Sequence, residues 1–469
     1  MDGGVDWAGL RERVLERIVP SRSEVEALER FRAETEGALS DLLGASGFRA
    51  VAEVQGSAAR GTWLAGEEDV DVFIVLDAGY DRGVLPEVLD VVKGYVGEGW
   101  VEAYAEHPYI RAEVDGFRVD FVPCFRVARG GGLISATDRS PLHTEYLRGR
   151  LTPELREEAR LLKRFIKGVG AYGAEVRVGG FSGYLCELLA VHYGSLEAVL
   201  REAGSWGRGE VVDAVGGSDV EVLRRRFREP LIVPDPVDPG RNVASAVSET
   251  VFWSFTEAAR AFLGAPSERF FFPLEADVDA SGVIEALGSR GSAILFVLVE
   301  DGDVDVPDVL WGQLYRAEKA LCGLLEKAGF DVYRSAAWSD ESSLHVIVFE
   351  LGCAVLPGVM RRVGPPVRMV EDGRRFVEAH LGAEGTVSGP WIEGDRWWVE
   401  TVRPEPEARG LVESALADGG RGVGVSRRLG EKMRDGLSVL LGEEVAPYVA
   451  GEFARFLFRF LDGRPVWLV

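Results

Sequence analysis

No stretch of roughly 18 consecutive apolar residues occurs in the chain, so no membrane-spanning helix is expected. The opening segment MDGGVDWAGLRERVLERIVP is charged and amphipathic and lacks the apolar core of a secretion signal; a cytoplasmic protein is the simplest expectation. Cysteine is sparse and scattered. Cys124, Cys186, Cys322 and Cys353 show no CxxC spacing, which argues against a disulfide framework or a thiolate zinc site and for reduced thiols. Histidine is scarce too. His107, His143, His192, His345 and His380 form no HxxxH or HExxH pattern, which speaks against a histidine-built metal centre. Basic residues are outnumbered, 53 against 76 acidic ones, for a net charge of −23. A uniformly acidic surface repels phosphates, so indiscriminate nucleic-acid binding is not expected, although a local basic groove is compatible with that balance. Arginine far outnumbers lysine, which fits either a GC-rich coding sequence or mild salt adaptation. No internal repeat and no low-complexity tract is evident.

The chain does contain a large supply of core: 46% of its 469 residues are apolar, which is too much chain for one ordinary domain. Residues 5–44 read as helix in two runs, with Leu10, Val14, Leu15 and Ile18 at helical spacing and Ser23 as the cap of the second run. Phe48–Val54 reads as a strand, Ala58–Leu64 as a short helix, and Asp69–Leu76 (DVDVFIVL) as a strand. Pro86–Tyr95 reads as a helix. Ile110–Val114 and Phe117–Pro123 flank Asp115-Gly116, a two-residue hairpin signal. Helices and strands alternate here as in an α/β sheet domain, expected over residues 1–150. From Thr152-Pro153, a cap followed by proline in the first turn, the pattern turns helical: Leu155–Val169, Phe181–Leu200, Val220–Arg228 and Ala244–Leu263, with a proline-rich loop at Leu231–Arg241. A mainly helical central domain over 151–268 follows. Residues 269–469 mix strands and helices again. Ala293–Glu300, Val309–Lys327, Asp331–Tyr333 and His345–Glu350 give a β-α-β-β order that suits an RRM- or ferredoxin-like unit. Gly373–Leu381 and Arg427–Gly442 read as helices and Arg396–Glu400 as a strand. The expected class is α+β and multidomain.

The informative segment is Gly56-Ser57-Ala58-Ala59-Arg60-Gly61-Thr62, followed twelve residues after the serine by Asp69-Val70-Asp71. In a strand, residues i and i+2 share a face, so Asp69 and Asp71 project together while Val70 and Val72 face apolar packing. Paired carboxylates repel unless neutralised, and Mg²⁺, which prefers hard oxygen ligands, is the economical solution. Asp120, mid-strand in FRVDFVPCF, supplies a third carboxylate. Three such groups on adjacent strands can hold two Mg²⁺ ions about 3.5–4 Å apart, which serve an in-line displacement. Gly56 and Ser57 offer a turn, a hydroxyl and backbone N–H groups for a triphosphate, and Arg60, one turn later, can reach a phosphate. A lone Gly-Ser is ordinarily a turn, and a lone DxD a solvated sheet face. Their joint occurrence with Asp120 points to catalysis.

These motifs resemble the DNA polymerase β-like nucleotidyltransferase superfamily, and within it the archaeal, class I CCA-adding enzymes. Further segments carry the likeness along nearly the whole chain: His107–Tyr109, Arg139–Leu147, Lys163–Glu175, Gly179–Leu189 (GGFSGYLCELL), Asp235–Ala244 (DPVDPGRNVA), Gly364–Val367 and Gly389–Glu400. The GGxVRD-type motif of the bacterial and eukaryotic class is replaced by GSAARGT. The resemblance implies a nucleotidyltransferase mixed sheet and addition of C, C and A to the 3′ end of tRNA from CTP and ATP, with Asp69, Asp71 and Asp120 as Mg²⁺ ligands. It also implies nucleotide contacts from Gly56, Ser57, Arg60, His107, His143, Lys163 and Tyr172, selection of C and A by Arg241, and a homodimer. Arg361, Arg362 and Arg368, within a cluster that includes Arg374 and Arg375, are candidates for tRNA phosphates, with Trp397 and Trp398 as stacking surfaces; a solvated charged face accounts for each arginine equally well. Rival readings are a poly(A) polymerase, an oligoadenylate synthetase-like enzyme, or an inactive RNA-binding relative.

Overall fold

The computed structural model describes residues 7–104, 106–127, 131–274, 278–302 and 306–468. The chain forms two compact units, residues 1–275 with 464–469, and residues 276–463.

The first unit is built on a five-stranded sheet: β1 (Ala50–Val54), β2 (Asp69–Leu76), β3 (Val101–Tyr104), β4 (Pro108–Val114) and β5 (Phe117–Phe125), in the order β1-β2-β5-β4-β3. Only β2 and β5 run parallel; the other neighbours are antiparallel. Alternation sorts the faces. Val70, Val72, Ile74, Leu76, Val119, Phe121 and Ile110 are buried in one core with Leu28, Phe31, Leu39 and Leu43 of the helix Arg22–Ala45 and Val88, Leu89 and Val92 of the helix Leu85–Val96. Asp69 and Asp71 lie on the opposite face. The β4–β5 hairpin turns at Asp115 and Gly116, both at positive φ (51° and 83°), as the Asp-Gly pair demands.

Two boundaries differ from the sequence reading here. The first helix ends at Ile18, and the second begins at Arg22 capped by Ser21 rather than Ser23. Pro20 cannot extend the first helix, and Ser21 shares a capping box with Glu24, whose backbone N–H donates to Ser21 Oγ (3.2 Å) while its carboxylate accepts from Ser21 N (2.7 Å). Strand β3, a mostly exposed edge of four residues, is not signalled by the sequence pattern.

The rest of this unit is helical. Pro153–Gly168 starts at the Thr152 cap as expected. The run expected over Phe181–Leu200 splits into Gly183–Tyr193 and Leu196–Ala203, because Gly194 closes the first in the left-handed region and Ser195 caps the second. The helix expected from Ala244 starts at Glu249, behind the Ser248 cap. Two short strands, β6 (Glu210–Val211) and β7 (Leu231–Ile232), pair in parallel. Phe165, Phe181, Phe252, Phe255, Phe262, Phe270 and Phe271 fill the core, and Trp467 stacks on Phe270 at 6.2 Å.

The second unit contains β8 (Ala293–Glu300), the helix Pro307–Ala328, β9 (Val332–Ser339) and β10 (Leu344–Leu351). Between β10 and the last strand lie β11 (Val359–Pro366), the helix Val370–His380, β12 (Thr386–Glu393), β13 (Arg396–Val402) and the helices Ala408–Leu416 and Arg427–Gly436. The helix expected to run to Gly442 stops at Gly436 and gives way to β14 (Leu437–Leu441). The reason is close packing: a Cβ on Gly436 would collide with the Glu300 carbonyl of β8, which β14 pairs. The sheet order β14-β8-β10-β9 with antiparallel neighbours is that of a ferredoxin-like unit, and the separate three-stranded sheet β11-β13-β12 is inserted before its last strand.

Candidate active site

The β2–β5 register puts Asp71 opposite Asp120 and Asp69 opposite Arg118 on one face of the sheet. Asp120 is gripped from β4 by Arg111 in a two-pronged bond, Nε to Oδ1 at 2.7 Å and Nη2 to Oδ2 at 2.8 Å. Asp69 receives Arg118 (3.0 Å). Asp71 makes no hydrogen bond or ion pair through its carboxylate to any described residue. It is open to solvent yet densely surrounded by protein, as happens in a concave site. Crowding, then the negative charge of Asp120, push its carboxyl up to about 6, against the pull of Arg60 and with a further push from Asp69.

Gly56 follows β1 at φ 67°, and a Cβ there would collide with Asp71 Oδ2. Gln55 N donates to Asp71 O (2.8 Å), which docks the Gly56–Arg60 helix against β2. Ser57 is half-buried beside it, and its hydroxyl makes no hydrogen bond to a described residue.

These residues suit a divalent cation. The donors are carboxylate oxygens on neighbouring strands, one of them without a partner among the described residues and raised by crowding and then by its neighbours' charge. As they stand, no three ligating side chains among the described residues lie close enough to enclose an ion, and the positive charge that Asp69 and Asp120 need comes from Arg118 and Arg111.

Arg60 and Lys163, expected beside phosphates, are both turned into the protein. Arg60 Nε donates to Glu187 Oε2 (2.6 Å) and its Nη1 to Thr144 Oγ1 (3.2 Å). Lys163, 2% exposed, donates to Glu187 Oε1 (2.8 Å), Thr62 Oγ1 (3.0 Å) and Thr62 O (3.2 Å). Glu187 is fully buried. Burial alone would raise its carboxyl, but Arg60 and Lys163 hold it down at about 2. The Tyr172 hydroxyl approaches the same region: a Cβ on Gly183 would stand 2.9 Å from it and 3.6 Å from Lys163 Nζ.

His143 and Arg241 share another buried carboxylate. Asp235 accepts from His143 Nε2 (2.9 Å) and Arg241 Nη1 (2.8 Å), and Tyr184 stacks on His143 at 3.9 Å. Burial lowers the His143 imidazole below the ordinary histidine value despite Asp235. His107 lies elsewhere. Its ring nitrogens bond Pro108 O (3.2 Å) and Thr137 Oγ1 (3.0 Å), in the network that ties the end of β5 to the Ser135–Asp138 turn. Arg361, Arg362 and Arg368 are exposed in the second unit. Arg361 packs over Trp398 (4.7 Å) and Trp391 (5.4 Å).

Glu187, Asp235, Arg111 and Tyr184 were not singled out from the sequence. Glu187 had a signal: it is the one acidic residue in GGFSGYLCELL, an otherwise uncharged run.

A nucleotidyltransferase domain matches residues 34–143, the second domain of tRNA nucleotidyltransferase residues 157–272, and the C-terminal domain of CCA-adding enzyme residues 290–442. The class is therefore a nucleotidyltransferase. The CCA-adding enzyme of Halobacterium salinarum is 38% identical over 97% of this chain and 99% of that protein. Those of Methanothermobacter thermautotrophicus (35%; 96% of this chain, 97% of that one) and Methanosarcina barkeri (38%; 96% and 98%) are comparably similar. The chain belongs to the family of CCA-adding enzymes. Among solved structures, the Cid1 poly(U) polymerase covers 56% of this chain and 96% of its own at 17% identity with a TM-score of 0.44, a likeness too slight to bear on function.

Proposed function

We propose that this protein adds C, C and A to the 3′ end of tRNA from CTP and ATP without a nucleic-acid template. The observation that carries the reading is the parallel register of Asp71 with Asp120 beside Gly56, in a chain that matches CCA-adding enzymes over nearly its full length. Asp69, Asp71 and Asp120 would hold two Mg²⁺ ions, whose chemistry is to activate a hydroxyl and stabilise departing pyrophosphate. The 3′-oxygen of tRNA attacks the α-phosphorus of the nucleotide, the bond to the bridging oxygen breaks, and pyrophosphate leaves with the electrons. Asp120 stands beside the attacking hydroxyl. Ser57 and the backbone N–H groups of the Gly56–Arg60 turn receive the triphosphate, near Arg60, Lys163 and Tyr172. Arg241, aimed by Asp235 together with His143, presents a fixed fork of donors to acceptors shared by C and A.

In this reading residues 1–150 carry the chemistry, 151–268 hold the nucleotide, and 269–469 hold the acceptor stem and T-arm of tRNA, with Arg361, Arg362 and Arg368 on phosphates. A homodimer is part of the proposal, checked by sedimentation. The deciding assay offers each of the four NTPs, and CTP with ATP, to a tRNA that ends before CCA. Incorporation of C and A alone, to the correct length, is expected; a poly(A) polymerase would not use CTP. Asp71→Ala should abolish incorporation and leave tRNA binding in place, and wild-type turnover by that variant would overturn the site assignment.

A further inference from the structure

The structure assigns Glu187 a role in the reaction: it is the positioning residue of the triphosphate site, acting through Arg60, Thr62 and Lys163. The inference rests on the functional reading above and adds a residue to it.

Charge is the first constraint. Arg60 is 9% and Lys163 2% exposed, and burying two cations is costly unless an anion is buried beside them. Glu187 is the carboxylate that bonds both of them, and it has no contact with solvent. Its two oxygens divide the work. Oε2 takes Arg60 Nε, and Oε1 takes Lys163 Nζ and the Thr62 hydroxyl. Thr62 is bound from both sides, because Lys163 also donates to its hydroxyl and its carbonyl.

The consequence is geometric. Arg60 and Thr62 bracket the end of the short helix that begins at Gly56, and Thr62 N returns to Ser57 O (3.1 Å). Lys163 comes from the helix Pro153–Gly168 and Glu187 from Gly183–Tyr193. One carboxylate therefore fixes the Gly-Ser segment, whose Gly56 lies against Asp71, to two helices of the helical region. The cluster sums to one net positive charge, Arg60 plus Lys163 minus Glu187, held next to the segment that receives a triphosphate. An amide cannot replace this carboxylate. A glutamine side chain in its place would offer one acceptor oxygen to three donors and set an N–H against a cation.

The test is steady-state incorporation on a tRNA ending before CCA, with KM for CTP and for ATP, kcat, KM for tRNA, and the thermal midpoint. Glu187→Gln should raise KM for both nucleotides at least tenfold, more than it lowers kcat, with KM for tRNA unchanged. A buried ion that serves stability alone would lower the thermal midpoint and the active fraction, seen as kcat, and leave the nucleotide KM alone. That result overturns the inference. Should Glu187→Gln fail to fold, Glu187→Asp decides. It keeps the charge but is one methylene too short to reach both Arg60 and Lys163, so the nucleotide KM should still rise severalfold, and an unchanged KM refutes the assignment. Failure of the wild-type protein to incorporate CTP would instead sink the functional reading, which separates the two claims.

Discussion

Gly56 shows how little room the Asp71 carboxylate leaves its neighbours. Its backbone sits at φ 67°, which costs an L-residue about 1–2 kcal/mol, and any Cβ would press on Asp71 Oδ2. Gly56→Ala should therefore lower incorporation at least a hundredfold while moving the thermal midpoint only a few degrees, since the strain is local. Kinetics alongside a melting curve measure both; equal losses in the two would mean that Gly56 serves the fold and not the site. Arg241 carries a second residue-scale expectation. Asp235 orients its guanidinium at 2.8 Å, and a fixed fork of donors is a better reader than a free one. Arg241→Ala should cut the preference for CTP over UTP by at least tenfold in kcat/KM, with the tRNA KM unchanged. A variant that still rejects UTP as well as the parent would remove Arg241 from the selecting groups.

Among elements, the ferredoxin-like sheet of the second unit is tied by Glu350. Its side chain on β10 is buried and accepts from Arg290 Nε (2.5 Å), Ser292 Oγ (2.5 Å) and Arg334 Nε (2.6 Å), and both arginines also donate to Leu461 O. Burial alone would raise its carboxyl, but Arg290 and then the other donors hold it down at about 2. A depressed carboxyl stabilises the fold fully above its unfolded value, near 4.3, and the contribution is lost as pH falls through about 2. Glu350→Gln should thus lower stability to urea at pH 6 and narrow the gap from wild type as pH drops from about 4.5 towards 2. A gap constant over that range would show that Glu350 does not titrate with folding. The elements themselves were largely legible from sequence, because periodicity reports burial on one face, as in DVDVFIVL of β2. Boundaries set by small polar residues were less so: Ser21, Ser195 and Ser248 cap helices whose starts apolar periodicity alone does not mark. Gly436 ends its helix because β14 must pass close to β8, a contact remote in sequence. The shared face of Asp69 and Asp71 and the close approach of Gly56 were legible because their signal is local. Arg60 and Lys163 read as nucleotide contacts, and nothing local reveals that Glu187 also engages both.

At the scale of the whole molecule, a net charge of −23 has to coexist with a polyanionic partner. Long-range repulsion opposes every approach of RNA, so affinity must come from a few local cations that displace counterions from phosphates. Arg361, Arg362 and Arg368 are exposed in the second unit, and Arg361 is held in place by Trp391, Trp398 and Glu393. An ordered arginine loses less entropy on meeting a phosphate than a free one does. Each true phosphate contact adds about 0.9 to the slope of log affinity against log salt. Replacing Arg361 and Arg368 together with glutamine should therefore weaken tRNA binding at about 50 mM salt, reduce the salt slope by about 1–2, and leave the KM for CTP where it was. Filter binding across a salt series reads both quantities. An unchanged slope would assign these arginines to a solvated face.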